Sequence, residues 1–323
     1  MKTAVITGCC GFIGREVTIK FLENNWHVYG IDKLTYAADP NVPDQLIKKF
    51  GDNFKFSRED ISELEWLPDC DVVINIAAES HVTNSIDSTN EFLKSNVLGT
   101  QKIIDLICRK HRMTNDAPYL FQFSTDEVYG DAITGSYNEE SQLKPSNPYS
   151  ASKASADLLV FAAARTHGLK YNILRPTNNY GNYQYHEKLI PLAVRNLMRG
   201  KTIKLHDMGQ PIRTWLNVSD TADAVMFIHN FAKRNEIFNV SSQYEQRNLD
   251  IVKMVINSFF NGSYLEEYKD WKNHIDLGHK RPGQDVRYSI DDSKIRSVGW
   301  KEQHSFESTI DKIVQNLKNS TRW

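Results

Sequence analysis

The sequence is poor in cysteine and has no marked excess of charge of either sign. Its 323 residues include four cysteines, at positions 9, 10, 70 and 108, whose spacing matches no zinc-binding or redox motif. We therefore expect no disulfide framework, no metal site and a reducing location, the cytoplasm. Lysine and arginine number 39 against 40 aspartates and glutamates, a net charge of −1. This balance argues against nucleic acid or an anionic membrane surface as the partner.

Long hydrophobic runs are also missing. The longest apolar stretches, at 72–78 and 158–164, fall well short of the roughly 18 residues that cross a membrane. The first residues lead directly into a short apolar segment, so we expect neither a signal peptide nor membrane insertion. Hydrophobic residues nevertheless make up 40% of the chain and aromatic residues 11%, which excludes disorder.

The first 175 or so residues alternate between strand-like and helix-like segments. Apolar runs of strand length are followed by segments whose apolar residues recur at helical spacing. This alternation predicts an α/β fold with a Rossmann-type, doubly wound parallel sheet. The predicted strands are 2–7, 27–31, 54–57, 72–76, 119–124 and 172–175, and the predicted helices are 15–24, 90–112 and 149–166.

After Pro176 the alternation loosens, and we expect a smaller C-terminal α/β lobe. Segment 178–191 is predicted to be a loop, and helix 220–233 is predicted to be capped by Ser219 or Asp220. We expect residues 1–177 to form the sheet domain, with 214–240 returning to it, and 178–213 and 241–323 to form the lobe. Further strands are predicted at 215–219 and 237–240, and further helices at 189–200, 249–260 and 306–317.

Three glycines, Gly8, Gly11 and Gly14, stand between the first strand and the first helix. Without a Cβ, the backbone can turn tightly and approach a pyrophosphate, which then meets free N–H groups at the helix N-terminus. Asp32, at the end of the next strand, would accept hydrogen bonds from an adenosine ribose and repel a 2′-phosphate. The pattern therefore predicts NAD rather than NADP, although Lys33 moderates this preference.

Tyr149 and Lys153 are four residues apart and so share one face of a predicted helix. A phenol has a pKa of about 10, and lowering that pKa to about 7 takes about 4 kcal/mol, to which a neighbouring ammonium and a positively charged nicotinamide would both contribute. About 25 residues earlier, Ser124 or Thr125 at a strand end would polarise a substrate oxygen. This combination predicts a dehydrogenase-type site.

Asp126 and Glu127 follow that strand end directly. Two adjacent carboxyl groups in isolation are typical of a solvated loop. Beside a tyrosine–lysine pair they gain a chemical use, because removal of water from a carbon skeleton needs a base for a C–H proton and an acid for the leaving hydroxyl.

Together these segments resemble the nucleoside-diphosphate-glucose 4,6-dehydratases of the extended short-chain dehydrogenase/reductase superfamily. The resemblance covers nearly the whole chain. The motifs that carry it are I-T-G-x-x-G-F-I-G from Ile6, D-K-L-T-Y-A from Asp32, A-A-E-S-H-V from Ala77, S-T-D-E-V-Y-G from Ser124, N-P-Y-S-A-S-K-A from Asn147, N-N-Y-G from Asn178, E-K-L-I-P from Glu187 and R-P-G-x-D-x-R-Y from Arg281.

The resemblance implies oxidation of C4 of a nucleotide-linked glucose, elimination of water across C5 and C6, and return of the hydride to C6. The product would be a 4-keto-6-deoxy sugar nucleotide of deoxysugar biosynthesis. Tyr149 would take the C4 hydroxyl proton with help from Lys153, and Thr125 would bind the C4 oxygen. Glu127 would take the C5 proton and Asp126 would protonate the C6 hydroxyl, so Asp126 should be neutral and Glu127 ionised.

The resemblance also implies two sets of binding residues and a homodimer with a four-helix interface built from 90–112 and 149–166. Arg213 and Arg281 would clamp the diphosphate, because guanidinium groups present a planar fork to phosphate oxygens. NAD would contact Gly8, Gly11, Phe12, Ile13, Gly14, Asp32, Lys33, Asp60, Ile61, Ala77, Ala78, Ser124, Tyr149, Lys153 and Asn179. The sugar nucleotide would contact Ser80, His81, Thr125, Asn178, Glu187, Lys188, Leu189, Arg213, Asn248 and Arg281.

Two questions stay open at this point. Thr83 and Asn84 stand where bacterial dTDP-glucose enzymes usually show Asp-Arg, and Asn84 favours UDP, whereas D-K-L-T-Y-A and Y-S-A-S-K favour dTDP. Asn182 and His186 replace prolines of the usual pattern and should loosen their loop. The alternative function is an NDP-sugar 4-epimerase or another NAD-dependent relative, which would need no elimination acid and base.

Overall fold

The computed structural model of the chain describes residues 2–114, 116–261 and 271–320. Its strands are β1 (Thr3–Thr7), β2 (His27–Ile31), β3 (Phe54–Ser57), β4 (Val72–Asn75), β5 (Tyr119–Phe123), β6 (Tyr171–Pro176), β7 (Asn178–Tyr180), β8 (Ile203–His206), β9 (Ile212–Asn217), β10 (Glu236–Val240), β11 (Glu245–Arg247) and β12 (Ile275–His279). Its α-helices are α1 (Phe12–Glu23), α2 (Val42–Phe50), α3 (Val82–Asp87), α4 (Asn90–Phe92), α5 (Gly99–Thr114), α6 (Pro148–His167), α7 (Leu189–Met198), α8 (Val218–Phe231), α9 (Asn248–Phe259), α10 (Ser293–Ser297) and α11 (Phe306–Lys318).

Seven parallel strands form the main sheet in the order β10-β6-β5-β4-β1-β2-β3. Val5 of β1, for example, lies between Tyr29 of β2 and Val73 of β4. The strand order reverses beside β1, where the loops that leave β1 and β4 diverge and open a crevice at the carboxyl ends of the strands. The predicted Rossmann-type α/β class is confirmed.

Helices cover both faces of this sheet because each carries an apolar stripe. Val17 and Phe21 of α1 pack beside α8 on one face. Ile103 and Ile107 of α5 and Val160 of α6 pack on the other face. Each such side chain contributes about 1.5–3 kcal/mol on burial, so the strand ends that carry the polar residues are held on a rigid frame. No helix among the described residues is long and apolar enough to cross a membrane.

The C-terminal lobe has a separate core formed by α7, α9 and α11. Ile190, Val252 and Ile313 are fully or almost fully buried in it. Two small sheets, with strand orders β11-β9-β7 and β12-β8, complete the lobe. The segment between β7 and α7 leads from this core to the crevice of the main sheet.

The chain between 178 and 240 differs from the prediction. The predicted loop contains β7, where Asn178 pairs with Trp215 of β9. The strand predicted at 215–219 lies at Ile212–Asn217 instead. Asn217, rather than Ser219 or Asp220, caps α8, because its side-chain oxygen accepts the Ser219 N–H at 2.9 Å. Strand β9 belongs to a lobe sheet and β10 to the main sheet, so segment 214–240 is shared between them.

The helix predicted at 90–112 is interrupted by a π-helical turn, Leu93–Leu98. This wider turn carries Asn96, which is buried. The Asn96 side chain accepts the Glu79 N–H at 2.9 Å and donates to the Glu79 carbonyl at 3.0 Å and to Ser152 Oγ at 2.8 Å. The break therefore depends on tertiary hydrogen bonds that apolar periodicity does not reveal.

Candidate active site

The glycine turn after β1 forms one end of a cleft along the carboxyl edge of the sheet. A Cβ on Gly14 would lie 1.9 Å from the Gly8 carbonyl oxygen, and a Cβ on Gly8, whose φ is +69°, would lie 2.8 Å from the Ala77 backbone. Only glycine permits this approach. Helix α1 begins at Phe12 without a side-chain cap, so its first N–H groups stay available to an anion. The turn fits the pyrophosphate of a dinucleotide.

Asp32 closes the same end of the cleft. It is 7% exposed, and its oxygens accept the Cys10 N–H at 3.0 Å and the Leu34 N–H at 2.8 Å. Burial raises the pKa of this carboxyl group. Lys33 Nζ lies 3.6 Å from Asp60 Oδ2, so its charge is compensated within the protein. The pair therefore suits a ribose diol better than a 2′-phosphate.

At the other end of the cleft, β5 runs into a short 3-10 turn that holds the two carboxyl groups. Thr125 caps this turn, because its Oγ1 accepts the Glu127 N–H at 3.3 Å. The Thr125 hydroxyl also lies 3.3 Å from Asp126 Oδ1. One side chain therefore fixes the Asp126 carboxyl group and the Glu127 backbone relative to the strand end.

Helix α6 brings the tyrosine and the lysine to this point. Asn147 and Ser150 form a capping box that fixes the start of the helix. Tyr149 and Lys153 follow on one side of it, are 8% and 4% exposed, and both line the cleft. The structure therefore brings together all five residues for which the sequence predicts a catalytic role.

The two adjacent carboxyl groups have different electrostatic surroundings. Burial, and then the charge of Glu127, raise the pKa of Asp126 to about 8. Asp126 Oδ2 is buried without a hydrogen-bond partner among the described residues. Burial also raises the pKa of Glu127, but the charge of Arg213 and a hydrogen bond from Asn147 favour its ionised form. These surroundings favour the proton on Asp126 and the negative charge on Glu127.

The lowered pKa predicted for Tyr149 depends on a positively charged nicotinamide as well as on Lys153, and the protein groups alone do not lower it. Burial, and then the negative charge of Glu127, raise it instead. Burial lowers the pKa of Lys153 to about 8, with Asp157 opposing the shift. Lys153 Nζ donates to the Phe123 carbonyl. The protein groups alone thus favour a neutral phenol, and a further positive charge is needed to form the phenolate.

Every residue predicted to contact NAD lines this cleft, and so do five of the ten predicted substrate contacts. Those five are Ser80, Thr125, Asn178, Glu187 and Lys188. The other five do not line it: His81, Leu189, Arg213, Asn248 and Arg281.

The two arginines lie behind the carboxyl pair. The Arg213 guanidinium donates to the carbonyls of Ile212 at 2.7 Å and Asp285 at 3.1 Å, which occupies part of its fork. Both Arg213 and Arg281 favour the charged form of Glu127. Their diphosphate role stays a prediction, whereas their electrostatic effect on Glu127 is a property of this structure.

Local structure explains why the remaining three predicted substrate contacts, Leu189, Asn248 and His81, do not line the cleft. Leu189 begins α7 and packs against the lobe core. Asn248 begins α9, and its N–H donates to the Pro211 carbonyl at 2.9 Å. His81 caps α3, where its Nδ1 accepts the Asn84 N–H at 3.4 Å. His81 and Leu189 are next in the chain to the cleft residues Ser80 and Lys188, whereas no chain neighbour of Asn248 lines the cleft.

The cleft also contains residues that were not predicted. Thr35 and Glu79 belong to the motifs D-K-L-T-Y-A and A-A-E-S-H-V, so those motifs already carried a signal. Gln184 and Tyr185 lie between motifs, and only the fold brings them to the cleft. The full unpredicted set is Thr35, Ala37, Ala38, Glu59, Ile76, Glu79, Ser95, Phe123, Pro176, Thr177, Gln184 and Tyr185.

Comparison with known proteins agrees with this geometry. The chain is 35% identical to the dTDP-glucose 4,6-dehydratase of Haemophilus influenzae, over 100% of this chain and 98% of that protein. It is 34% identical to the dTDP-glucose 4,6-dehydratase of Streptomyces niveus, over 99% of this chain and 94% of that protein.

Solved structures give the same result. The dTDP-glucose 4,6-dehydratase DesIV of Streptomyces venezuelae, solved with NAD bound, has a TM-score of 0.91 at 32% identity, covering 99% of this chain and 98% of that chain. A UDP-glucuronic acid 4-epimerase of Bacillus cereus has a TM-score of 0.87 at 22% identity, covering 99% of each chain, which shows the shared fold. The model of the family described as GDP-mannose 4,6 dehydratase matches residues 5–313. The chain therefore belongs to the GDP-mannose 4,6 dehydratase family, within the extended short-chain dehydrogenase/reductase superfamily.

Proposed function

We propose that the protein is an NAD-dependent dTDP-glucose 4,6-dehydratase, which forms dTDP-4-keto-6-deoxyglucose and water. The observation that carries the proposal is the buried pair Asp126 and Glu127 beside Tyr149 and Lys153. An elimination needs one protonated and one ionised group. A 4-epimerase needs no such pair, although its fold is the same.

The dinucleotide end of the cleft supports NAD as cofactor. The turn of Gly8, Gly11 and Gly14 would hold the pyrophosphate and Asp32 the adenosine ribose. NAD, when bound, accepts a hydride from C4, later donates one to C6, and adds a positive ring charge that favours the Tyr149 phenolate.

In the first step Tyr149 takes the proton of the C4 hydroxyl, and C4 becomes a ketone as its hydride leaves. Thr125 Oγ1 bonds the C4 oxygen at the end of β5. Lys153, whose pKa is about 8, is mostly charged at neutral pH and opposes the repulsion between the phenolate and Glu127. The new ketone acidifies the C5 proton, because it stabilises the resulting enolate.

In the second step Glu127 takes the C5 proton and Asp126 gives its proton to the C6 hydroxyl, which leaves as water. A C5–C6 double bond remains. Addition of a hydride at C6 and a proton at C5 then gives the 4-keto-6-deoxy product, with no net oxidation. The unpartnered Asp126 Oδ2 is the atom suited to meet the leaving hydroxyl.

The nucleotide we propose is dTDP, the one named for the relatives at about 35% identity. The sequence feature that favours UDP is Asn84, and its side-chain nitrogen lies 3.2 Å from the Tyr36 hydroxyl of the D-K-L-T-Y-A motif. This contact joins Asn84 to the motif that favours dTDP. The thymine methyl group contributes about 1–3 kcal/mol in a fitted pocket.

We also propose a homodimer. Leu93, Leu98 and Leu158 are 46%, 59% and 58% exposed on the two helical segments of the predicted interface. These three exposed leucines, on the α4–α5 segment and on α6, are apolar side chains that a four-helix contact would bury. Light scattering should give twice the mass of 37.2 kDa, and a monomeric mass at micromolar concentration would contradict the dimer.

The test of the function is incubation of the purified protein with NAD and either dTDP-glucose or UDP-glucose. We expect a product lighter than dTDP-glucose by one water, with the absorbance of a 4-keto sugar in alkali, and a kcat/KM about 5- to 150-fold lower for UDP-glucose. A galactose epimer of unchanged mass would instead establish the epimerase.

A further inference from the structure

A tyrosine far along the chain lies against the proposed base. Tyr288 is 3% exposed, and its hydroxyl lies 3.3 Å from Glu127 Oε2 although 161 positions separate the two residues. The same hydroxyl bonds the carboxylate of Asp285. The guanidinium carbon of Arg213 lies 4.0 Å from the centre of the Tyr288 ring. The mechanism above uses neither Tyr288 nor Asp285.

The backbone around Tyr288 is anchored independently of Glu127. The Tyr288 N–H donates to the Ile212 carbonyl of β9 at 3.3 Å. The N–H of the preceding residue, Arg287, donates to Asp131 Oδ1 at 2.8 Å. The Arg287 side chain pairs with both oxygens of Glu245 at 2.8 Å. The fold therefore delivers the Tyr288 hydroxyl to this place whether or not Glu127 is charged.

The hydroxyl of Tyr288 has one proton and two carboxyl neighbours. Asp285 Oδ2 also receives the Ser146 hydroxyl, so it acts as an acceptor. On the other side, Asn147 Nδ2 lies 3.4 Å from Glu127 Oε2, the same oxygen that Tyr288 contacts. Both contacts of Glu127 fall on Oε2, which leaves Oε1 as the oxygen that can receive a proton from substrate.

We propose that Tyr288, held by Asp285, is a positioning residue that orients Glu127 and keeps it ionised before the elimination. The inference rests on the proposed function of Glu127. While Glu127 is ionised, the Tyr288 hydroxyl donates to Oε2. When Glu127 takes the C5 proton, the hydroxyl turns to Asp285, so its hydrogen bond is kept. Tyr288 gains and loses no proton in the cycle.

The charge of Glu127 depends on several groups, which set the background for any pH measurement. Asp126 and Tyr149 lie beside it, and cationic groups just before α7, in β9 and after β12 favour its ionised form. The charged or titratable groups that face it are Asp126, Tyr149, Lys188, Arg213, Arg281 and Asp285.

The first test is Tyr288→Phe, which keeps the ring beside Arg213 and removes the hydroxyl. With dTDP-glucose as substrate we expect kcat to fall about ten- to hundredfold, the loss of one hydrogen bond to a charged group, with little change in KM. C4 oxidation does not use Glu127, so reduced nicotinamide should accumulate in the steady state. The acidic limb of kcat against pH should move to higher pH, because the Glu127 carboxylate loses a donor.

The second test is Asp285→Asn, for which we expect the acidic limb of kcat against pH to move in the opposite direction. With a neutral amide in place of the competing carboxylate, Glu127 is the stronger acceptor for the Tyr288 hydroxyl, and a nearby negative charge is lost. Both changes favour the ionised base, so the acidic limb should move to lower pH. The matched control is Tyr119→Phe, which removes a buried hydroxyl bonded to His229 at the amino end of the main sheet and should leave the limb in place.

The possible results separate the two claims. If the wild-type protein forms no keto sugar, the proposed function fails and this inference fails with it. If the wild-type protein forms it and Tyr288→Phe keeps the wild-type kcat and acidic limb, only the positioning role is overturned. The positioning role is also overturned if the acidic limbs of Tyr288→Phe and Asp285→Asn move in the same direction. If Tyr288→Phe does not fold, the limb of Asp285→Asn decides alone.

Discussion

Two groups of buried charge meet on helix α6, and they are compensated to different degrees. Asp157 and Arg175 are almost fully buried, and the Arg175 Nε and Nη2 donate to Asp157 Oδ2 at 3.1 and 2.9 Å. The Ser124 hydroxyl donates to the same oxygen at 2.9 Å, and Arg175 Nη1 lies 2.8 Å from the Tyr129 hydroxyl. This inner group is a paired, multiply hydrogen-bonded structure.

The group in the cleft lacks such compensation. One oxygen of each carboxyl group, Asp126 Oδ2 and Asp157 Oδ1, is buried without a hydrogen-bond partner in the described part of the chain. Asp157 is paired with Arg175, whereas Asp126 has no ion pair among the described residues, and burial raises the pKa of Asp126 to about 8. Lys153 lies one helical turn from Asp157, yet its Nζ donates to a main-chain carbonyl. The difference indicates that the inner group stabilises the fold, whereas the cleft group holds shifted pKa values for chemistry.

The largest effect should come from replacing the cleft carboxyl groups. Glu127→Gln and Asp126→Asn should each lower kcat about 10²- to 10⁴-fold, the usual contribution of one acid or base. Both should stall after C4 oxidation, so bound reduced nicotinamide accumulates, and neither should lower the free energy of unfolding. Glu139→Gln is the control, since Glu139 accepts the Asn239 N–H at 2.9 Å away from the cleft. Full turnover by Glu127→Gln would show that this cleft carboxyl group is not needed for the chemistry.

The next effect is on stability. Arg175→Met should lower the free energy of unfolding by about 3–5 kcal/mol, because Asp157 is left as an uncompensated buried charge. Adding Asp157→Asn should recover a large part of that loss in the same denaturant titration. If Arg175→Met loses turnover but keeps its stability, the Asp157–Arg175 pair takes part in the chemistry and does not serve mainly to stabilise the fold.

A smaller effect on stability is expected at Ser124, which lines the cleft and also contacts the Asp157–Arg175 pair. Ser124→Ala removes the hydroxyl that donates to Asp157, a bond to a charged group that contributes about 1.5–3 kcal/mol. We expect the free energy of unfolding to fall by that amount, less than for Arg175→Met. An unchanged midpoint in urea would show that Arg175 alone compensates Asp157.

The smallest effect is the pH dependence. Asp126 must be protonated, and its pKa of about 8 predicts that kcat decreases above about pH 8, as does the loss of charge from Lys153. The folded protein keeps this proton up to about pH 8, whereas the unfolded chain releases it near pH 4. Stability from Asp126 therefore falls as the pH rises between these values. Asp126→Asn should gain stability relative to the wild type as the pH is raised across this range.

The sequence was sufficient for the features that neighbouring residues determine. The strands β1 to β6, the glycine turn and the Tyr149–Lys153 spacing follow from periodicity and motif. The pairing of Asp157 with Arg175 is a contact between a helix and a strand and has no local signature. The approach of Tyr288 to Glu127 joins segments 161 positions apart.

The sequence also did not predict several short elements and the protonation of the site. Helices α2, α3 and α10 and strands β8, β11 and β12 were not predicted, and all of them are short. The raised pKa of Tyr149 results from burial and from the charge of Glu127, and both depend on the folded cleft. Motifs thus identified which residues meet, while the fold determined their protonation.

The most direct test of the central claim is to follow hydrogen from C4. The protein is incubated in ordinary water with NAD and dTDP-glucose deuterated at C4, and the product is examined by mass spectrometry and NMR. We expect loss of one water, deuterium at C6 and a solvent proton at C5. A product that keeps its mass and carries the deuterium at C4, or one whose label is lost to solvent, would contradict it.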